Sequence, residues 1–174
     1  MIKKVFALLM ALLLMAAFYV YALLREDEQT KRTEEWVVVA QEQPFEPMGG
    51  LESQDPAALA RAMGMPVPLP GSLAAGSVQD GSYHAAYARL LTAFDGSRTV
   101  RGVRPASASP LIRPQGLNFE PTGQSLHSYP LLSARDDTTV YYYLATGAQG
   151  AFVISVPLEQ EAQGLQGIEQ IQPE

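Results

Sequence analysis

From residue 5 to residue 24 the chain carries no charge, no proline and no glycine, an uninterrupted apolar run of twenty residues. At about 1.5 Å per residue the run matches the roughly 30 Å hydrocarbon core of a bilayer, so a transmembrane helix is predicted, with the lipid bilayer as its partner. Tyr19 and Tyr21 near one end, and Lys3 and Lys4 before the other, suit the two membrane interfaces. A cleaved signal peptide shares this basic start and apolar core, with Val20 and Ala22 before Leu23 as its best cleavage positions. The length of the run and the bulky Tyr19 and Tyr21 favour a retained anchor.

Beyond the run the pattern changes at once. Residues 25–34 are charged with no apolar face and read as a solvated tether. Residues 36–40 (WVVVA) are β-branched and aromatic, which predicts a first strand, and Pro44, Pro47, Gly49 and Gly50 are expected to break regular structure after it. Asp55 as cap, Pro56 at the first turn and Gly64 just past the end predict a helix over residues 56–63. Pro66, Pro68 and Pro70 then force an extended segment, read as a rigid surface connector in preference to a polyproline ligand.

Over residues 81–105, two strand-like runs around Asp95-Gly96 predict a hairpin with a primed turn, in preference to a helical first run with Tyr83, Tyr87 and Leu90 on one face. Proline and serine make residues 105–121 an irregular crossing with room for one helical turn. Residues 129–134, 139–146 and 151–156 read as strands, with Phe152, Ile154 and Val156 on one face of the last and Ala151, Val153 and Ser155 on the other. A glycine-weakened helix is expected over residues 158–168. The sum is an α+β protein: anchor 1–24, tether and first strand 25–47, and a small domain 48–174 built on an antiparallel sheet with short helices.

Charge adds an orientation. All eighteen acidic and ten of the twelve basic residues follow Leu24, so the outer part carries a formal −8. That surplus repels nucleic acid phosphates, and no nucleic acid partner is expected. Lys and Arg counts near the two helix ends do not decide the orientation. The acidic flank Glu26, Asp27, Glu28, set against Lys3, Lys4 and the amino terminus, favours a cytoplasmic N-terminus and a domain outside the cytoplasmic membrane. The four residues ahead of the helix are too few to fold, so any message is expected to pass sideways, to another membrane or envelope protein. Cysteine is absent, which removes disulfides, thiolate metal sites and cysteine nucleophiles.

No catalytic, cofactor or metal motif stands out in the sequence. Ser125 and His127 lie in GQSLH, which lacks the second glycine of a nucleophile elbow. His84 and His127 stand far apart without carboxylates at ligand spacing, short of the three or four ligands that zinc requires. Asp136-Asp137 reads as a turn. One anomaly stands out in an acidic domain: between Gly81 and Arg113 there are five arginines (Arg89, Arg98, Arg101, Arg104, Arg113) and a single acid, Asp95. Arginine's planar fork suits carboxylate or phosphate, which makes Arg98, Arg101 and Arg104 the candidate patch for an anion or an acidic partner. The competing reading pairs them with the domain's own carboxylates, and Arg101 and Arg104 fall on opposite faces of a strand.

Through Tyr87-Ala-Arg-Leu-Leu, Asp95-Gly96, Val103 to Pro110, and again Tyr129-Pro-Leu-Leu, the chain resembles uncharacterised bacterial single-pass membrane-anchored domains. The resemblance covers about half of the outer part and implies an extracytoplasmic α+β domain with no site carried over. A looser similarity to the outer domains of anti-sigma-type regulators fails for want of their cytoplasmic part. The expected function is a non-enzymatic interaction or accessory module of a membrane or envelope complex. The alternatives are an envelope hydrolase, or a carrier of hydrophobic ligands lined by the tyrosine-rich sheet.

Overall fold

The computed structural model describes residues 45–173; the predicted anchor, the charged tether and the strand expected at residues 36–40 lie outside them. The described part is a small domain made mostly of strands, with one α-helix and two short 3-10 turns. Ten strands are present: β1 Glu46–Glu52, β2 Val67–Pro70, β3 Ala75–Tyr83, β4 Ala86–Phe94, β5 Thr99–Arg104, β6 Glu120–Leu126, β7 Tyr129–Arg135, β8 Thr139–Ala145, β9 Ala151–Pro157 and β10 Ile168–Ile171. Eight form one antiparallel sheet in the order β1-β3-β4-β5-β9-β8-β7-β6, and β2 pairs antiparallel with β10 in a second, two-stranded sheet.

The helix α1 (Pro56–Met63) forms where its punctuation predicts. The Asp55 carboxylate accepts from the Ala57 amide at 3.0 Å, Pro56 fills the first turn, and Gly64 closes the end in the left-handed conformation at φ 65°. Its apolar side, Leu59, Ala60 and Met63, is completely buried. Together with Val67 and Leu69 of β2 and Ile168 of β10 it covers one face of the large sheet, meeting Val78, Leu91, Val100, Val140, Leu144, Phe152 and Ile154. The opposite face is covered by the 3-10 turn Ala106–Leu111 and Ile112, packed on Val103, Ala151 and Val153. Strand β9 therefore lies between two apolar layers, which is why AFVISV carries apolar side chains toward both sides. Fully burying one such side chain contributes about 1.5–3 kcal/mol, against about 0–1 for an exposed ion pair, so these layers hold the domain together.

Several expectations are corrected. The stretch EPMGGLE, expected to be irregular, is strand β1, exposed throughout and, among the described residues, the edge of the large sheet. Its Pro47 is accommodated at the irregularity in register between Pro47 and Gly49. The proline segment is extended as expected, yet it is no surface connector: all four residues of β2 are buried, and β10 pairs with them. The helix expected over 158–168 forms only over Leu158–Gln163, as a 3-10 helix, and is followed by β10. The first arm of the predicted hairpin is two strands, because a tight turn at His84 and Ala85 (φ 48° and 60°) separates β3 from β4. The matching turn between β6 and β7 is made by His127 and Ser128 (φ 51° and 73°). Histidine is among the residues more tolerant of positive φ, but neither turn contains the glycine or asparagine by which such turns are recognised.

Among the described residues no helix is long and apolar enough to cross a membrane.

Candidate functional site

The five arginines are sorted by the folded chain into separate environments. Arg98 is consumed locally: its Nη2 lies 2.7 Å from the Asp95 carboxylate, its Nη1 donates to the carbonyls of Gly164 and Gln166, and both partners of the ion pair are largely buried. Arg101 projects to the other face of β5 and donates to the Leu111 carbonyl at 3.2 Å, pinning the 3-10 turn to the sheet. Arg113 lies beside the edge-to-face pair of Phe119 and Tyr143, whose centroids are 5.8 Å apart, with its Cζ 5.1 Å from each centroid. Arg98, Arg101 and Arg104 thus do not share one surface. What the structure brings together is Arg104 and Arg89.

These two residues are direct partners across the β4–β5 ladder, and both side chains reach the C-terminal end of α1. A Cβ placed on Gly64 would lie 2.6 Å from Arg104 Nη1 and 3.1 Å from Arg89 Nη1, so the absence of a side chain there is what lets two guanidiniums close on one helix end. Like charges directly opposite in a sheet repel, and the surroundings answer each differently. Arg104 Nη1 donates to the Met63 and Gly64 carbonyls at 3.0 and 2.7 Å, which carry the negative end of the helix dipole. Arg89 Nε donates to Asp80 Oδ1 and to Tyr87 Oη, both at 2.9 Å, and the Tyr87 hydroxyl in turn donates to the same Asp80 oxygen at 2.5 Å.

The Tyr87 hydroxyl and, beyond it, the Arg89 guanidinium hold the Asp80 carboxyl below the ordinary carboxylate range, against a smaller opposing effect of burial. Arg89 is held more firmly protonated by the same triangle, through the Tyr87 hydroxyl first and Asp80 after it.

Tyr87, Arg89, Arg104, Pro105, Ala148 and Gln149 line an open concavity of about 520 Å³. It sits at the end of the sheet where β5 finishes and where the β3–β4, β6–β7 and β8–β9 connections turn. Tyr87 is 53% exposed, and with Pro105 and Ala148 it provides apolar wall beside the two cations. Among the described residues Arg104 has no carboxylate partner, and the donors Arg104 Nε and Nη2 and Arg89 Nη1 and Nη2 make no hydrogen bond.

Tyr87 and Asp80 were not singled out from the sequence. Asp80 lies one residue before the window in which arginines outnumber acids, on a strand that polar residues disguise. The Tyr87-x-Arg89 spacing, which puts both side chains on one strand face, was the available signal. Ser125 lies on β6 and His127 in the adjoining turn, both on the far edge strand pair from this concavity. Among the described residues no group of three or more His, Asp or Glu is arranged to hold a metal ion.

No family model matches the chain, and comparison with curated proteins and with solved structures finds no match.

Proposed function

We propose that this protein is a non-enzymatic interaction module, anchored by residues 5–24 with its domain on the outer side of the cytoplasmic membrane, that recognises an anionic group of a membrane or envelope partner through the Arg89–Arg104 concavity. The observation that carries the reading is the pairing of Arg89 with Arg104 opposite one another on the sheet, with one carboxylate, Asp80, for two guanidiniums. An electropositive recess in a protein of net charge −6 focuses anions where the rest of the surface repels them. The groups in the recess are hydrogen-bond donors held in place by sheet and helix, an arrangement that suits holding an anion.

The test is made in the native membrane. Protease added to spheroplasts should digest the domain while cytoplasmic markers survive; protection of the domain would reverse the orientation. Chemical cross-linking of the full chain should then capture the same membrane or envelope partner reproducibly. Capture should fall as salt rises and be lost in the R89Q/R104Q double variant. Unchanged capture by that variant would sink the reading.

A further inference from the structure

We infer that the Arg89–Arg104 concavity is a site for a carboxylate monoanion attached to an apolar group, such as the free C-terminal end of a peptide; the inference rests on the interaction reading above and names its ligand class. Three observations converge on it.

The first is charge. Two guanidiniums face one carboxylate, Asp80, and the C-terminal carbonyls of α1, whose dipole end amounts to about half a negative charge. What remains uncompensated is about half a positive charge. A single carboxylate comes near that balance, whereas the second charge of a phosphate monoester would be left without a partner in a domain already strongly acidic.

The second is donor geometry. Arg104 spends Nη1 on the helix end and keeps Nε and Nη2, the side-on pair of its fork. Arg89 spends Nε on Asp80 and Tyr87 and keeps Nη1 and Nη2, the end-on pair. Each guanidinium thus retains one adjacent pair of N–H groups, the spacing that two carboxylate oxygens accept. Both are braced from behind by bonds already made, so little side-chain entropy is lost on binding.

The third is the wall. The half-exposed Tyr87, with Pro105 and Ala148, flanks the donors, and Gln149 adds an amide that can meet a peptide group. A concavity of about 520 Å³ falls within the range of small-ligand sites, roughly 300–1,000 Å³, and has room for one or two residues beyond the carboxylate.

The experiment uses the full chain, labelled with 15N-arginine, in detergent micelles. It is titrated with N-acetyl-leucyl-alanine bearing a free carboxylate, with the same dipeptide amidated, and with phenyl phosphate. The Arg89 and Arg104 side-chain signals are identified by their loss in R89Q and R104K. The free acid should move both signals, the amide should leave them in place, and phenyl phosphate should require higher concentrations. R104K keeps a cation able to reach the Met63 and Gly64 carbonyls, so its melting temperature should hold while the affinity for the acid falls about ten-fold or more, through loss of the Nε and Nη2 donor pair. Equal shifts with acid and amide, tighter binding of phenyl phosphate, or an unweakened R104K would each overturn the inference. If the probes fail while Arg-dependent capture of a partner persists, the carboxylate assignment falls and the interaction reading stands. If capture survives R89Q/R104Q while the acid still moves the two signals, the reverse holds.

Discussion

The Asp80 carboxylate and the Arg89 guanidinium meet at 2.9 Å as directly opposed residues of β3 and β4, on the sheet face that carries the concavity. The pair is partly exposed, so its contribution to stability is small. Its chief consequence is positional: Arg89 is held at the rim of the concavity by a partner on the neighbouring strand. The Asp80 carboxyl is lowered in the folded domain by the Tyr87 hydroxyl and by Arg89, and those of Asp95 and Asp136 are lowered as well. For Asp95 burial pushes upward, and the Arg98 and Ser97 amides together with the Arg98 guanidinium outweigh it. For Asp136 the Thr138 amide leads, followed by the Tyr141 hydroxyl.

A depressed folded value means that stabilisation is fully present above the ordinary value of 3.8 and is lost as pH falls through the folded values. Denaturant midpoints should therefore be flat near neutrality and decline below about pH 4. D80N should shallow that decline and also release Arg89. An acid limb identical in D80N and the parent protein would remove Asp80 from it.

Asp95 organises the β4–β5 connection. One of its oxygens accepts the Ser97 and Arg98 amides at 3.0 and 2.7 Å, and the other meets the Arg98 guanidinium at 2.7 Å. Asp95→Ala leaves two turn amides and a largely buried cation without their charged acceptor, and should cost about 1–3 kcal/mol in chemical denaturation. Gly96 stands at φ 106° with nothing within 4 Å of where a Cβ would be. Gly96→Val should cost about 1 kcal/mol or more through backbone conformation alone. An unchanged melting temperature in Gly96→Val would show that the turn is made differently.

Gly102 and Phe152 are cross-strand partners of β5 and β9, and the Phe152 ring occupies the space above the glycine. A Cβ on Gly102 would fall 2.5 Å from Phe152 Cδ1 and 2.6 Å from Cε1. Gly102→Ala should therefore destabilise by about 1–3 kcal/mol through overpacking, and Phe152→Ala by about 3–5 kcal/mol through the cavity it opens. The two changes share one space, so the double variant should be less destabilised than the sum of the singles. Strict additivity in a double-mutant cycle would contradict the packing described.

Gly64 joins helix capping to the concavity. Gly64→Ala should cost about 1 kcal/mol for a side chain at φ 65°, a few degrees in melting temperature for a domain of this size. It should also push Arg104 off the helix end, so the titration with the free-acid dipeptide weakens in the same variant. Unimpaired titration alongside a lowered melting temperature would separate the cap from the site.

The elements legible in the sequence are those whose signals are local. Asp55, Pro56 and Gly64 delimit α1 because capping and proline geometry act within one turn of backbone. Strands β8 and β9 announce themselves through runs of β-branched and aromatic residues at consecutive positions, and β7 through its bounds, Tyr129-Pro130 at one end and a polar turn at the other. Strands β1, β3 and β6 contain glycine, proline or polar residues with little intrinsic preference for extended backbone, and the four-residue β10 is too short to show a pattern; all are strands because neighbours pair with them. The turns at His84 and His127 are likewise set by the strands they join. The excess of arginine between residues 81 and 113 was readable, but its partition was not.

Whether Arg89 meets Arg104 depends on register, and register depends on the length of one loop. With Phe94 opposite Thr99, the four residues from Asp95 to Arg98 form the connection, and Arg89 faces Arg104. The two-residue primed turn that Asp95-Gly96 suggests would have set Gly102 opposite Arg89 and left Arg104 two positions beyond it. Composition alone determined that guanidiniums would be concentrated in this stretch of the chain. The tertiary structure decided which two share a recess, because side-chain direction alternates along each strand and only ladder pairing, fixed by the Asp95 carboxylate in the turn, chooses which residues stand face to face.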